Sequence, residues 1–516
     1  MLLYMSLKPT TQQQAIIDFA GTGQDLIVEA LAGTGKSTTL RLIAEAYPER
    51  KFRYVVFNKS QEKEAKSKMP KNVESRTGNS LAWEFAAHVY KNNGAILPER
   101  FNAIGDKYLV TNKDIAAHFK FESYLVTKHI KSRGQTLELK ETYSSSKVVT
   151  HLKKAITKFC NSNDTELGIR HFPAEYSYPA NAVSDARILW NDIQDVHGRV
   201  KITHDHIVKL WAKNFRDLSV SMKNIDEKYD TLMIDEAQDT NPVFGGVYAQ
   251  QTHMQRIYVG DPNQAIYGFR GAEDELQKVD ISVRLPLTES WRFGPGIAEP
   301  ANLFLDKLDS TNKISGMREE LGLIVAPGSM QNPNVVLCRT NAGALRAIFE
   351  RLSAGQGVQV GAQYKADLLS LLDSIAWFSR VLSEKPKIHE DLEKYSSMEE
   401  IKEAIENYEE TRKIAEIVDL FAELGYDAVR TKLQSLDGRN RKDSIDIITA
   451  HRSKGSEWDR VQIYDDFWGY KKDPITGKVT PPSREEFMLG YVSVTRAMKE
   501  LDLGSLNYIT KDIEED

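Results

Sequence analysis

Cysteine is almost missing from this chain. Its 516 residues include two, Cys160 and Cys338, far apart and without neighbouring metal-ligand partners. That argues against a disulfide framework and against a zinc site, and leaves both thiols as structural residues. No apolar run approaches the roughly 20 residues that a membrane-spanning helix needs. The opening MLLYMSLKPT also lacks the basic start and extended apolar stretch of a secretory leader. The expectation is a protein without membrane association that stays in the cytoplasm, or in the nucleus of a eukaryote. An excess of charge of one sign is missing too: 68 Lys and Arg against 73 Asp and Glu give a formal net charge of -5. This argues against coating nucleic acid by bulk electrostatics, while a local basic groove stays compatible with it. Internal repeats and low-complexity tracts are absent, and the acidic end DIEED reads as a solvated tail.

Core material, by contrast, is plentiful. With 41% hydrophobic and 27% charged residues the chain reads as folded and soluble, and its length suggests roughly three or four folding units. Short apolar strands alternate with helical patterns at the start. DLIVEA (25–30) reads as a buried strand, TTLRLIAEAYP (38–48) as a helix closed by Pro48, and FRYVVFN (52–58) as the next strand. Such alternation predicts a parallel sheet with right-handed crossovers. From about Leu81 to Arg199 the pattern reads as mostly helical, in stretches such as ESYLVTKHIKSRG and VVTHLKKAITKFCN. The strand theme resumes at TLMIDEA and QRIYVGD, so the middle is expected to be an insertion. A second α/β region begins near SVRLPLTESWRF and includes PNVVLCRTN, SIDIITAHR, RVQIYDD and ELDLGSLN. It is interrupted by a charged helical stretch, 384–440, with a capping-box signature at Ser397 and Glu400.

The chemistry is concentrated in a few stretches. EALAGTGKST (29–38) follows a predicted strand and opens a predicted helix, which is the context of a phosphate-binding P-loop. Its backbone N–H groups turn inward around phosphates, Lys36 reaches the β and γ oxygens, and the Ser37 hydroxyl is placed to ligate Mg²⁺. In YDTLMIDEAQDTN, an apolar strand empties into Asp235 and Glu236. Unpaired buried carboxylates are costly, so something cationic must complete them. A strand ending in two acids is more often a solvated strand end. Beside a P-loop, Asp235 reads as a metal ligand and Glu236 as the base that orients and deprotonates the attacking water. In YVGDPNQAIYGFRGA a third strand runs out into Asp261 and Gln264, with Gln264 expected to sense the γ-phosphate. Tyr267, Phe269 and Arg270 follow as a stacking surface for bases or, alternatively, as core anchors.

Taken in order, GTGKS, IDEAQD, VGDPNQAIYGFRGA, TAHRSKGSEW and YVSVTRA resemble superfamily 1A helicases of the UvrD/Rep group. FNKS, PKNVESRTGNSLA and LTESWRFG are most similar to the F-box DNA helicase branch, although no F-box is expected ahead of the motor. The resemblance implies an α/β fold of two RecA-like P-loop domains with parallel sheets, each carrying a mainly helical insertion. It places domain 1A at 1–80 and 201–278, insertion 1B at 81–200, domain 2A at 279–383 and 441–516, and a short insertion 2B at 384–440. It also implies ATP contacts from Gln12, Ala32, Gly33, Thr34, Gly35, Lys36, Ser37, Thr38, Trp291, Gly455 and Glu457, with Ser37 and Asp235 on Mg²⁺. Lys36, Glu236, Gln264, Arg292 and Arg496 are implied as catalytic, and Phe57, Asn58, Thr77, Asn79, Tyr267, Phe269, Arg270 and His451 as DNA-binding. Two positions depart from the family pattern: Asn79 stands where His is usual, and Thr38 where Arg often follows the P-loop.

The activity so implied is ATP-driven 3′ to 5′ movement on single-stranded DNA with duplex unwinding, in replication, repair or recombination. The partners implied are single strands, single-strand/duplex junctions and replication or recombination proteins, with the chain itself a monomer. Two other readings stay open: a translocase that strips proteins from single strands, and an ATP-gated binding switch that does not travel.

Overall fold

The computed structural model describes residues 8–132, 135–214, 228–266, 275–389, 392, 395, 397–407, 418–419, 421–436, 444–472 and 477–511. They form two compact units: Met1–Ala30 with Gly35–Leu287, and Leu31–Thr34 with Thr288–Asp516.

The first unit is built on a six-stranded sheet. Its strands are β1 (Leu26–Ala30), β2 (Phe52–Val56), β3 (Val73–Thr77), β7 (Thr231–Ile234), β8 (Gln255–Gly260) and β9 (Arg284–Leu287). They lie in the order β3-β2-β7-β8-β1-β9, and every pairing is parallel. Parallel strands are covered on both faces, which is why β2 and β7 are buried along their whole length and are mainly apolar, with Arg53 of β2 paired to Glu74 at 2.6 Å. Helix α1 (Thr11–Ala20) opens with a capping box between Thr10 and Gln13. Helices α2 (Lys36–Ala46), α3 (Lys59–Lys68) and α4 (Gly78–Asn92) each follow a strand. Because every strand runs the same way, the carboxyl ends of all six emerge at one edge of the sheet, where ligands of open α/β sheets bind.

The middle of the first unit corrects one reading. ESYLVTKHIKSRG is not helical. Tyr124–Ser132 (β4) pairs antiparallel with Gln135–Tyr143 (β5) and with Tyr176–Ser177 (β6) in a three-stranded sheet. The physical reason is period-2 burial: Tyr124 and Val126 are buried at 2% and 1% exposure while Leu125 between them is 61% exposed. Aromatic and β-branched residues fit that half-buried pleated surface. VVTHLKKAITKFCN is helical as expected, within Ser145–Asn161, and buries Val148, Val149, Leu152, Ile156 and Phe159 at helical spacing. Behind it Arg100 is fully buried. Its guanidinium donates to Tyr90 Oη (3.0 Å), to the Val200 carbonyl (3.0 Å) and to the Asp192 carbonyl (2.7 Å), which satisfies the charge without solvent.

The second unit has its own six-stranded parallel sheet. Its order is Leu323–Val325, Ala497–Asp502, Trp458–Ile463, Val335–Cys338, Ile445–Thr449, Val358–Gln359. Two six-stranded parallel sheets, each accompanied by helices, match the expected α/β class. The described residues within 384–440 include the helices Met398–Asn407 and Tyr426–Ser435. Ser397 Oγ accepts the Glu400 N–H at 3.1 Å, as the capping signature predicted. Cys160 and Cys338 are both buried free thiols. Among the described residues no helix is long and apolar enough to cross a membrane.

Two buried histidines give the first unit an acid sensitivity. Burial, followed by the nearby Arg100 and Lys153 charges, brings His206 down to about 3; burial, followed by Lys154 and Lys147, brings His151 down to about 4. Both are lower than the ~6.5 of an unfolded histidine, so the unfolded chain binds more protons below that pH and stability falls as pH falls through it. By pH 5 each imidazole should cost about 2 kcal/mol relative to neutral pH. Denaturant midpoints measured at pH 7 and pH 5 should show that loss, and a His206→Asn variant should show a smaller one.

Candidate nucleotide site and strand-binding edge

The chain leaves β1 through a turn that requires glycine at two points. Gly33 and Gly35 have φ of 72° and 83°, in the left-handed region. A Cβ on Gly33 would stand 2.6 Å from both Arg292 Cβ and Ser290 Oγ. Helix α2 begins at Lys36 with Gly35 as its N-cap, so no side chain satisfies its first N–H groups. Free N–H groups at a helix start, with the helix dipole behind them, suit a phosphate. Lys36 Nζ lies 3.5 Å from the Ala30 carbonyl, and Thr38 is half-buried on the first turn. The Thr39 hydroxyl donates to the Gly35 carbonyl (3.0 Å), and Gln13 Nε2 donates to Thr39 Oγ1 (3.1 Å). Gln13 is thus the buried glutamine tied to this turn, while Gln12 beside it is half-buried. Leu31–Thr34 pack as part of the second unit: the Ala32 N–H donates to Tyr491 Oη (3.1 Å), the Trp291 N–H donates to the Gly33 carbonyl (3.0 Å), and the Thr34 hydroxyl donates to the Leu31 carbonyl (2.8 Å).

Two strands away in the same sheet, β7 delivers Asp235, which is 9% exposed. Its Oδ2 accepts from the Tyr54 hydroxyl at 2.5 Å and from the Ser37 hydroxyl at 3.4 Å; its Oδ1 accepts the Glu236 N–H at 3.0 Å. Burial, and then the Glu236 charge, push the Asp235 carboxyl above the ordinary carboxylate range, with Tyr54 and Lys36 opposing them. Burial and the same carboxylate raise the Tyr54 phenol well above its usual value. An acid held in this way is short of positive charge. No group of three or more His, Cys, Asp or Glu among the described residues is arranged as a metal cage. One hydroxyl and one carboxylate is instead the sparse oxygen set that suits Mg²⁺, which keeps several waters and takes its other ligands from a substrate's phosphates. The residues present fit the ion.

Glu236 has φ 50°, a left-handed conformation that costs a non-glycine residue on the order of 1–3 kcal/mol. Its carboxylate accepts from Gln238 Nε2 (2.5 Å). Gln238 Oε1 in turn accepts the Asp261 N–H (3.0 Å), and Asp261 Oδ2 accepts from Gln264 Nε2 (2.8 Å). Gln238, Asp261 and Gln264 are 1%, 0% and 4% exposed, so the chain of bonds is shielded from water. Gly260 makes room for it, because a Cβ there would stand 2.2 Å from Gln238 Oε1.

In the second unit, Arg292 Nε lies 2.7 Å from Glu457 Oε2, and its Nη1 donates to the Thr495 carbonyl at 2.9 Å. Arg496 is 2% exposed and donates to the carbonyls of Val492 (3.0 Å) and Ser456 (3.2 Å). Arg292, Glu457 and Arg496 are therefore neighbours, although far apart in sequence. Gly455 sits at φ 88°, Trp291 is 52% exposed and His451 is half-buried.

At the carboxyl edge of the first sheet, Phe57 is exposed at the end of β2. Asn58 and Thr77 are occupied as helix caps: Asn58 Oδ1 accepts the Gln61 N–H (2.9 Å) to start α3, and Thr77 Oγ1 accepts the Ser80 N–H (3.1 Å) to start α4. Asn79 is exposed on the first turn of α4. Tyr267, Phe269 and Arg270 lie outside the described residues. Three residues that sequence reasoning did not assign belong to the site: Gln13, Tyr54 and Gln238. The signal for Tyr54 was a hydroxyl inside a wholly buried strand, which must find a partner. Gln238 sat unassigned inside the IDEAQD motif.

Comparison with known proteins agrees with this geometry. Residues 9–279 match the UvrD/REP helicase N-terminal domain. The chain is 29% identical over 96% of its length to F-box DNA helicase protein 1 of Schizosaccharomyces pombe, covering 57% of that protein. It is 28% identical over 96% of its length to F-box DNA helicase 1 of Gallus gallus, covering 48%. It thus spans about half the length of these relatives. A shorter match, 32% identical over 92 residues, covers 16% of the chain and 8% of the RecBCD enzyme subunit RecB of Escherichia coli. With a P-loop, a buried Asp235 beside Glu236 and the matched span of 9–279, the chain belongs to the UvrD/Rep helicase family.

Proposed function

We propose that the protein is an ATP-dependent translocase on single-stranded DNA and a DNA helicase moving 3′ to 5′, acting in replication, repair or recombination. The observation that carries this reading is the run of hydrogen bonds Glu236–Gln238–Asp261–Gln264. It ties a carboxylate suited to hydrolysis to the segment that leads directly into Tyr267, Phe269 and Arg270. The names of the two long relatives, both DNA helicases, support DNA as the track.

On this reading the turn from Ala32 to Thr38 wraps the ATP phosphates, with Lys36 on the β and γ oxygens and Gln12, Trp291, Gly455 and Glu457 on the rest of the nucleotide. Ser37 and Asp235 would hold Mg²⁺, which would supply charge neutralisation at the phosphates. Glu236, oriented by Gln238 Nε2, takes the proton of the attacking water. Gln264 senses the γ-phosphate from its anchor on Asp261. Arg292 and Arg496 supply the cations that stabilise the transferring phosphoryl group; such arginines are worth ~10³–10⁵ in rate, so their delivery makes hydrolysis depend on closure of the site. Phe57, Asn58, Thr77, Asn79 and His451 form the track for the strand together with the aromatic segment. The segments 1–80 with 201–278 act as one motor domain and 279–383 with 441–516 as the other, with 81–200 and 384–440 as their insertions.

ATPase rates measured with and without single-stranded DNA and RNA of several lengths test the proposal. DNA should stimulate turnover with a dependence on strand length, and rates indifferent to both strands would refute it. Glu236→Gln should lower turnover by about 10²–10⁴-fold while the thermal melt is unchanged. Lys36→Ala should likewise abolish it without unfolding the chain. Gly260→Ala should displace Gln238 and misplace the base, at a cost on the order of 10²-fold in turnover and ~1–3 kcal/mol in stability.

A further inference from the structure

A cavity of about 600 Å³ opens in the first unit next to the capped starts of α3 and α4. Its volume lies within the ~300–1,000 Å³ of small-ligand clefts. One wall is aromatic. Trp83 and Phe101 meet edge to face with ring centroids 5.0 Å apart, and His204 stands 4.7 Å from Phe101 and 5.9 Å from Trp83. The other wall is charged but compensated. Lys59 Nζ lies 2.8 Å from Glu62 Oε2, and Arg76 pairs with Glu84. Burial alone would raise the Glu62 carboxyl, but its bonds to Lys59 and Lys66 hold it below the ordinary range, so it stays ionised. Glu62 also accepts the Thr77 N–H at 3.3 Å, and Arg76 Nε donates to Ser80 Oγ at 3.3 Å, which fixes this wall to the ends of β3 and α4.

That lining selects a class of ligand. Two cations matched by two carboxylates leave no net charge for a phosphate, which would have to displace an acid from its partner. A purely apolar group would cover the half-buried Arg76–Glu84 pair with hydrocarbon. A flat, neutral ring with hydrogen-bonding edges satisfies both walls, and a nucleobase is such a ring. Asn79 lines the mouth, so the cavity is continuous with the edge assigned to the strand under the proposed function. We propose that this cavity receives one unstacked base of the bound strand, its face against the Trp83–Phe101–His204 cluster and its edge toward Arg76 and Glu84. The inference rests on the strand-translocase reading and adds a base-binding site to it.

The test compares, by fluorescence anisotropy, an oligodeoxynucleotide of mixed sequence with the same strand made wholly abasic. Stacking on an aromatic is worth a factor on the order of 5 to 150 in affinity. His204→Ala, at an exposed position that leaves the core untouched, and Trp83→Ala should each weaken the intact strand by a factor of that order and leave the abasic strand as in wild type. Trp83→Phe should restore most of the difference. Variants that bind the intact strand as tightly as wild type, or that lose affinity equally for both strands, would overturn the base pocket while the translocase reading stands. Wild type with no affinity for the intact strand would overturn both.

Discussion

A carboxylate buried at the end of a parallel strand is the constraint around which the first unit is organised. Asp235 is 9% exposed and faces a second acid, Glu236, so the fold must offer it donors or a cation. Every element nearby answers that demand. Helix α2 brings Ser37, β2 brings the Tyr54 hydroxyl, and the backbone of Glu236 turns to donate its own N–H. These three donors keep the acid in place but do not neutralise it, and under the proposed function the shortage of positive charge that remains is what a nucleotide-borne ion would meet. Order in the site thus exists before the ligand arrives, which is the condition for an electrostatic site to act without reorganising.

The same economy of partners joins Glu236 to the segment that carries Asp261 and Gln264. Gln238 donates to one site residue and accepts from the backbone of another, because an amide carries both functions. A carboxylate or an ammonium in its place would serve one end and repel the other. Membership of the UvrD/Rep family places the fold, and the amide shows how two of its motifs are held in one piece.

Much of this was legible in the sequence, for physical reasons. Parallel strands buried on both faces are mainly apolar, so DLIVEA, FRYVV and TLMI announced themselves, and the glycines of GTGKS marked a turn that favours glycine. The β4–β5 hairpin was not legible in the same way. Its alternation is masked by Leu125 and Leu139, apolar residues that face outward at 61% and 49% exposure and blur the period of two. Gln13 and Tyr54 were missed because their roles depend on what lies opposite them, at Thr39 and Asp235, and a single chain read from end to end shows no opposites. Asn58 and Thr77 were read as strand contacts from the motifs they occupy. Their side-chain oxygens also close the first turns of α3 and α4, a local role that the motifs do not announce.

The left-handed backbone at Glu236 carries an implication for how such a chain changes over time. Glycine would sit in that conformation without strain, so the most comfortable occupant of the position is one that has no carboxylate to offer. Drift toward sturdier folding and retention of the acid therefore pull in opposite directions at a single residue. Under the proposed function, a library sorted only for heat resistance would be expected to enrich for molecules that hold together well and accomplish nothing.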